Sequence, residues 1–120
     1  MKVIVKVTQS FKRLAKPLLK KYPSLNKELF QLENDLIKNP KSGKSLGNNT
    51  YKIRIAVQSK GTGKRGGLRA ITYVETELIG LIEKNDEVIT VKLIAIYDKS
   101  ETDSISEKEL TNLIRRILNE

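Results

Sequence analysis

The chain has 120 residues, enough for one domain with a real core, and carries 23 basic against 14 acidic residues for a formal net charge of +9. It has no cysteine and no histidine, which excludes disulfides, a thiolate nucleophile and imidazole acid–base chemistry, and leaves zinc without its common ligands. No stretch of 18 apolar residues is present and the first residues are too short and polar for a secretory signal, so a single domain over residues 1–120 in the cytoplasm, away from membranes, is expected.

Residues 2–7 alternate Val3, Val5 and Val7 with Lys2 and Lys6, the period of a strand. Phe11, Leu14, Ala15, Leu18, Leu19 and Tyr22 then recur at helical spacing, with Pro17 predicting a kink or a later start of the regular turns. A second helix is predicted after Pro23, with Ser24 as its N-cap, a stripe of Leu25, Leu29, Leu32 and Leu36, and a stop at Asn39-Pro40. So short a link between the two makes an antiparallel helical hairpin. Residues 39–50 read as a polar loop, and Tyr51, Ile53, Ile55 and Val57 as a strand. Gln58 to Gly67 reads as a glycine-rich basic loop, Leu68 to Val74 as the next strand and Val88 to Tyr97 as a central one. Between these two, Leu78 to Ile82 reads as a strand extension and Lys84-Asn85-Asp86 as a hairpin turn. Ser106 and Glu109 form a capping box, flanked by Ile105 and Leu110 at staple positions, for a last helix to Asn119. The expected class is α+β: a twisted antiparallel sheet with an N-terminal helical hairpin and a C-terminal helix, in the order β-α-α-β-β-β-α.

The charge is not spread evenly. Between Asp35 and Glu75 there are nine basic residues and no acidic one (Lys38, Lys41, Lys44, Lys52, Arg54, Lys60, Lys64, Arg65 and Arg69), so the whole surplus is local. A concentrated positive potential draws polyanions, and like charges this dense repel unless a partner neutralises them. Lys60, Lys64, Arg65 and Arg69 surround four glycines that would let a phosphate chain approach the backbone, with Lys52 and Arg54 on the neighbouring strand. A solvated hairpin tip is the plainer reading of the lysines. A nucleotide P-loop is rejected, since no helix or Ser/Thr follows the lysine. Four tyrosines and two phenylalanines are too few for an aromatic stacking platform across a sheet.

A second cluster, Tyr97-Asp98-Lys99-Ser100-Glu101, leaves the end of the central strand. Lys99 suits stabilising a phosphorane or protonating a leaving 5′ oxygen, and Tyr97 suits stacking on a base. Asp98 or Glu101 suits accepting a 2′-OH proton. A turn with solvated charges is the plainer alternative here too.

Three segments together carry a family resemblance: Gly47 to Ala56, Lys60 to Val74 with its basic-Gly-Gly-x-Arg step, and Ile94 to Glu101 followed by Ile105-Ser106. They resemble the RelE/ParE toxin superfamily, most closely its RelE/HigB-like branch of type II toxin–antitoxin systems, over roughly residues 25–118. The resemblance implies a toxin that inhibits translation as a metal-independent, cofactor-free mRNA endoribonuclease on the ribosome, held inactive by a cognate antitoxin. By the resemblance Arg69 matches the strand arginine that contacts the scissile phosphate, Lys60 and Lys64 the basic loop before it, and Lys99 the basic position after the last strand. With the residues' own placement, Arg69, Lys64, Lys99 and Glu101 are the catalytic candidates and Lys52, Arg54, Lys60, Arg65 and Tyr97 the candidate RNA contacts. Some relatives use a histidine or a C-terminal tyrosine that is missing here, leaving Glu101 or a lysine of lowered pKa as the base. The superfamily also contains gyrase poisons that cut no RNA, and an inactive RNA-binding module is a third reading.

Overall fold

A computed structural model describes residues 2–60, 67–79, 86–101 and 106–118. Its elements are β1 (Lys2–Val7), α1 (Gln9–Lys21), α2 (Leu25–Lys38), β2 (Lys44–Gly47), β3 (Thr50–Ile55), a single 3₁₀ turn (Gln58–Lys60), β4 (Leu68–Ile79), β5 (Asp86–Asp98) and α3 (Glu107–Leu118). The class is α+β, as expected, with one strand more than the sequence pattern suggested.

Thr8 caps α1: its hydroxyl accepts from the Phe11 N–H at 3.2 Å and donates to the Leu93 carbonyl at 2.9 Å, fixing the helix start to β5. The helix does not start late: it runs from Gln9 to Lys21 with Pro17 inside it. Pro17 is exposed, so the carbonyl deprived of its N–H partner lies on the solvent side. Ser24 stands at the predicted N-cap of α2, but its side chain caps no N–H of the helix. Its backbone is already helical and its hydroxyl instead bonds the Glu28 carboxylate at 3.0 Å and the Ser59 hydroxyl at 2.8 Å. The Gln58 N–H donates to the other Glu28 oxygen at 2.6 Å, so the 3₁₀ turn competes successfully for the capping groups.

The extra strand, β2, lies inside the predicted loop 39–50. Asn48 (φ 53°) and Asn49 (φ 62°) are both left-handed, the requirement of a two-residue hairpin whose twist matches its strands, and asparagine tolerates that region better than most residues. Gly43, at φ +95°, opens β2. A Cβ there would collide with the Lys52 carbonyl and come within 2.9 Å of Ile53 Cγ1. Gly43→Ala is therefore expected to destabilise the fold by about 1–3 kcal/mol, read as a lower urea midpoint at unchanged slope.

The five strands lie in the order β1-β5-β4-β3-β2. All neighbours are antiparallel except β1 and β5, which are parallel. This corrects the wholly antiparallel sheet: the first strand pairs with the last, and only a long connection can join parallel neighbours. The hairpin α1–α2 packs Phe11, Ala15, Leu18, Leu25, Leu32 and Leu36 on one sheet face against Ile55, Leu68, Ala70, Leu93 and Ile96. On the other face Leu110, Leu113 and Ile117 of α3 cover Ile71, Ile94 and Ala95. The capping of α3 is partly as predicted, since the Glu109 N–H reaches the Ser106 hydroxyl at 3.1 Å. Ile105 and the turn Lys84-Asn85 lie outside the described residues.

Candidate nucleic-acid interface

A bulge in β5 decides which side chains meet. Ile71 of β4 is opposite Ala95, but the next residue, Thr72, is opposite Leu93, leaving Ile94 without a counterpart. Ile89, Val91 and Leu93 point to the helical hairpin. Ile94 and Ala95 then both turn to the α3 side, and alternation resumes one step out of phase. Ile96 and Asp98 consequently face the hairpin, while Tyr97 is on the face of α3 and Lys99 stands in the turn just beyond the strand.

On that face the register makes two rows. Arg54, Arg69 and Tyr97 lie side by side across β3, β4 and β5, and Lys44 lies opposite Lys52 in the next row, ahead of Ile71 and Ala95. Lys52 titrates below an ordinary lysine because it is partly buried, and then because the charges of Lys44, Lys99, Arg69 and Arg54 press on it. Five cations thus converge on one sheet face. Arg69 is the most deeply set, 5% exposed, and donates to the Leu68 carbonyl at 3.1 Å. Burial raises the Tyr97 phenol above its usual range, against the opposing pull of Arg69, so it stays protonated at neutral pH.

The remaining predicted residues lie elsewhere. Lys60 is on the hairpin side, its ammonium paired with Asp98 and 5.5 Å from the centre of the Tyr22 ring. Its position in the chain beside the glycines suggested a phosphate contact, yet Asp98 holds it away from the Arg69 face. Glu101 is exposed and paired with Lys21 at 2.9 Å, also apart from the cations. Asp98, weighed as a base, is unsuited to that work. Burial alone would raise its carboxyl, but hydrogen bonds from Lys60, Tyr22 and Ser100 outweigh it and hold the group well below the ordinary carboxylate range. Lys64 and Arg65 lie outside the described residues. Lys44 was not among the expected contacts, yet it stands opposite Lys52. Its signal was Asn48-Asn49, since a two-residue hairpin turn there brings Lys44 back to Lys52.

No family model and no curated protein matches the sequence. Among solved structures, a mutant of the E. coli toxin RelE in the free state superposes with a TM-score of 0.55, covering 98% of this chain and 99% of that one at 17% identity. The chain has a RelE-like fold. The RelE-like fold spans essentially the whole chain at low identity, so the likeness is one of backbone rather than of side chains. Among the described residues, no helix is long and apolar enough to cross a membrane.

Proposed function

We propose that this protein is the toxin of a toxin–antitoxin pair and cleaves mRNA on the ribosome in the cytoplasm, using the cationic face of the sheet. The observation that carries the reading is the convergence of Lys44, Lys52, Arg54, Arg69 and Lys99 on one side of a RelE-like fold. Such a face can bind a phosphodiester and stabilise the extra charge of a phosphorane without redox chemistry.

In this scheme the ribose 2′-oxygen attacks the adjacent phosphorus as Lys52, in its neutral form, takes the hydroxyl proton. The P–O5′ bond breaks and the Lys99 ammonium protonates the departing 5′ oxygen, leaving a 2′,3′-cyclic phosphate and a 5′-hydroxyl. Arg69 grips the non-bridging oxygens, Tyr97 lies beside it with its hydroxyl buried, and Lys44 and Arg54 hold the flanking backbone, with Lys64 and Arg65 extending the contact. Lys52 replaces Glu101 as the base because its ammonium sits among the other cations. The deciding experiment is in vitro translation with mapping of mRNA ends: cuts ending in cyclic phosphate support the enzyme, whereas intact mRNA with inhibited DNA supercoiling overturns it.

A base of this kind has a visible signature. Cleavage should rise with pH through a limb lying below the ordinary lysine value of 10.5, since only deprotonated Lys52 accepts a proton. Lys52→Met should flatten that limb and slow cleavage by about 100-fold.

The antitoxin would combine apolar and acidic residues. A groove of about 630 Å³ between α1 and α2 is lined by Val7, Phe11, Leu19 and Phe30, with Lys12, Lys16 and Lys20 one helical turn apart along its wall. Phe30 is 66% exposed. An amphipathic antitoxin helix fits there with its acidic edge on the lysines. Phe30→Glu should leave cleavage intact while weakening neutralisation about tenfold or more, measured by titrating antitoxin into the cleavage assay.

A further inference from the structure

β5 ends in a carboxylate that takes no part in the cationic face yet lies between two residues that do. The Asp98 side chain is fully buried. Its Oδ2 accepts from the Tyr22 hydroxyl at 2.6 Å, and its Oδ1 accepts from Lys60 Nζ, from the Ser100 N–H at 3.0 Å and from the Ser100 hydroxyl at 2.7 Å. A buried pair of this sort adds little net stability, because desolvation offsets most of the attraction. Its geometric effect is larger. The Ser100 bonds, with the Glu101 N–H on the Asp98 carbonyl at 3.0 Å, close a turn that carries Lys99. The Lys99 N–H in turn reaches the Gly67 carbonyl at 3.4 Å, where β4 begins. Tyr22 and Lys60 therefore hold Asp98 from the helical side, and Asp98 holds the turn.

We propose that Asp98 is a positioning residue, clamped by Tyr22 and Lys60, which sets the Lys99 turn so that the Lys99 ammonium stands beside Lys52 and Arg69 before RNA arrives. What the positioned ammonium does rests on the ribonuclease reading; the positioning itself does not. Preorganisation matters here because a misplacement of about 1 Å at a reacting group can slow a reaction on the order of 100-fold.

The test compares Asp98→Ala with Asp98→Asn in the full chain. Asparagine keeps an acceptor for Ser100 and a partner for Tyr22 but leaves Lys60 without its counter-charge, so it should lower stability yet keep the turn. Alanine loses both. The first readout needs no RNA: the side-chain amine of Lys52, followed by NMR titration, should move up towards the ordinary lysine value in Asp98→Ala and stay as in wild type in Asp98→Asn. The second is cleavage per folded molecule, where Asp98→Ala should lose about tenfold or more in kcat with KM nearly unchanged, and Asp98→Asn should recover most of it. Should both variants merely melt earlier, with the Lys52 titration and kcat as in wild type, the positioning role is overturned. A wild-type protein that cuts no RNA, alongside a Lys52 shift in Asp98→Ala, keeps the positioning and removes the ribonuclease reading. If Asp98→Ala does not fold, Ser100→Ala weakens the same turn with the buried pair intact; a smaller Lys52 shift in the same direction supports the proposal, and none overturns it.

Discussion

Arg69→Ala is expected to slow mRNA cleavage by about 100- to 1,000-fold and to relieve growth arrest while the protein stays folded. The argument starts from placement. Arg69 stands in the interior of the sheet between Arg54 and Tyr97, and its backbone hydrogen bonds to β3 and β5 leave it little freedom. A guanidinium held this way need not reorganise when charge builds on the phosphorane, which is where an electrostatic catalyst gains most. Arg69→Lys keeps the charge but not the two-pronged donor geometry, so it should recover only part of the rate. Growth arrest measured at equal expression, with circular dichroism on the purified variants, checks both expectations. Continued arrest with Arg69→Ala would remove this residue from the mechanism.

Binding of single-stranded RNA is expected to weaken by about three and a half orders of magnitude between about 50 and 500 mM salt, since some five neutralised phosphates give a logarithmic slope near −3.5. The five are the contacts of Lys44, Lys52, Arg54, Arg69 and Lys99. Removing Lys44 or Arg54 should shallow the slope by about 0.7. Fluorescence anisotropy over a salt series reads both quantities. A flat response would show that the RNA is held by something other than these charges.

Much of this was legible in the residue order. The helices follow from apolar spacing, with Leu25, Leu32 and Leu36 buried along one stripe as their spacing requires. β5 was readable as a central strand because Leu93 to Ile96 are apolar in succession, and both faces of that stretch are covered. The resemblance to the RelE/ParE superfamily is matched by the RelE-like backbone. Other features were beyond reach of local pattern. β2 is too short and polar to show as a strand and exists by pairing with β3. Ser24 looked like a cap, but the hydroxyl went to Glu28 and to Ser59, 35 residues away. Lys60 and Glu101 looked like members of the site, and each is drawn off by an opposite charge distant in the chain.

Composition and order alone established where the positive charge is concentrated, which segments are helical and that imidazole and thiol chemistry are closed to this protein. They could not establish which face each cation occupies. Alternation counted from Ile89, Val91 and Leu93 would send Tyr97 beneath the helical hairpin and Asp98 to the other side. The bulge at Ile94 reverses that assignment, since Ile94 and Ala95 both fill the space under α3 and every later residue of the strand changes sides. Side-chain direction in a strand is a matter of counting, and a single extra residue is visible only once the partner strand is in place.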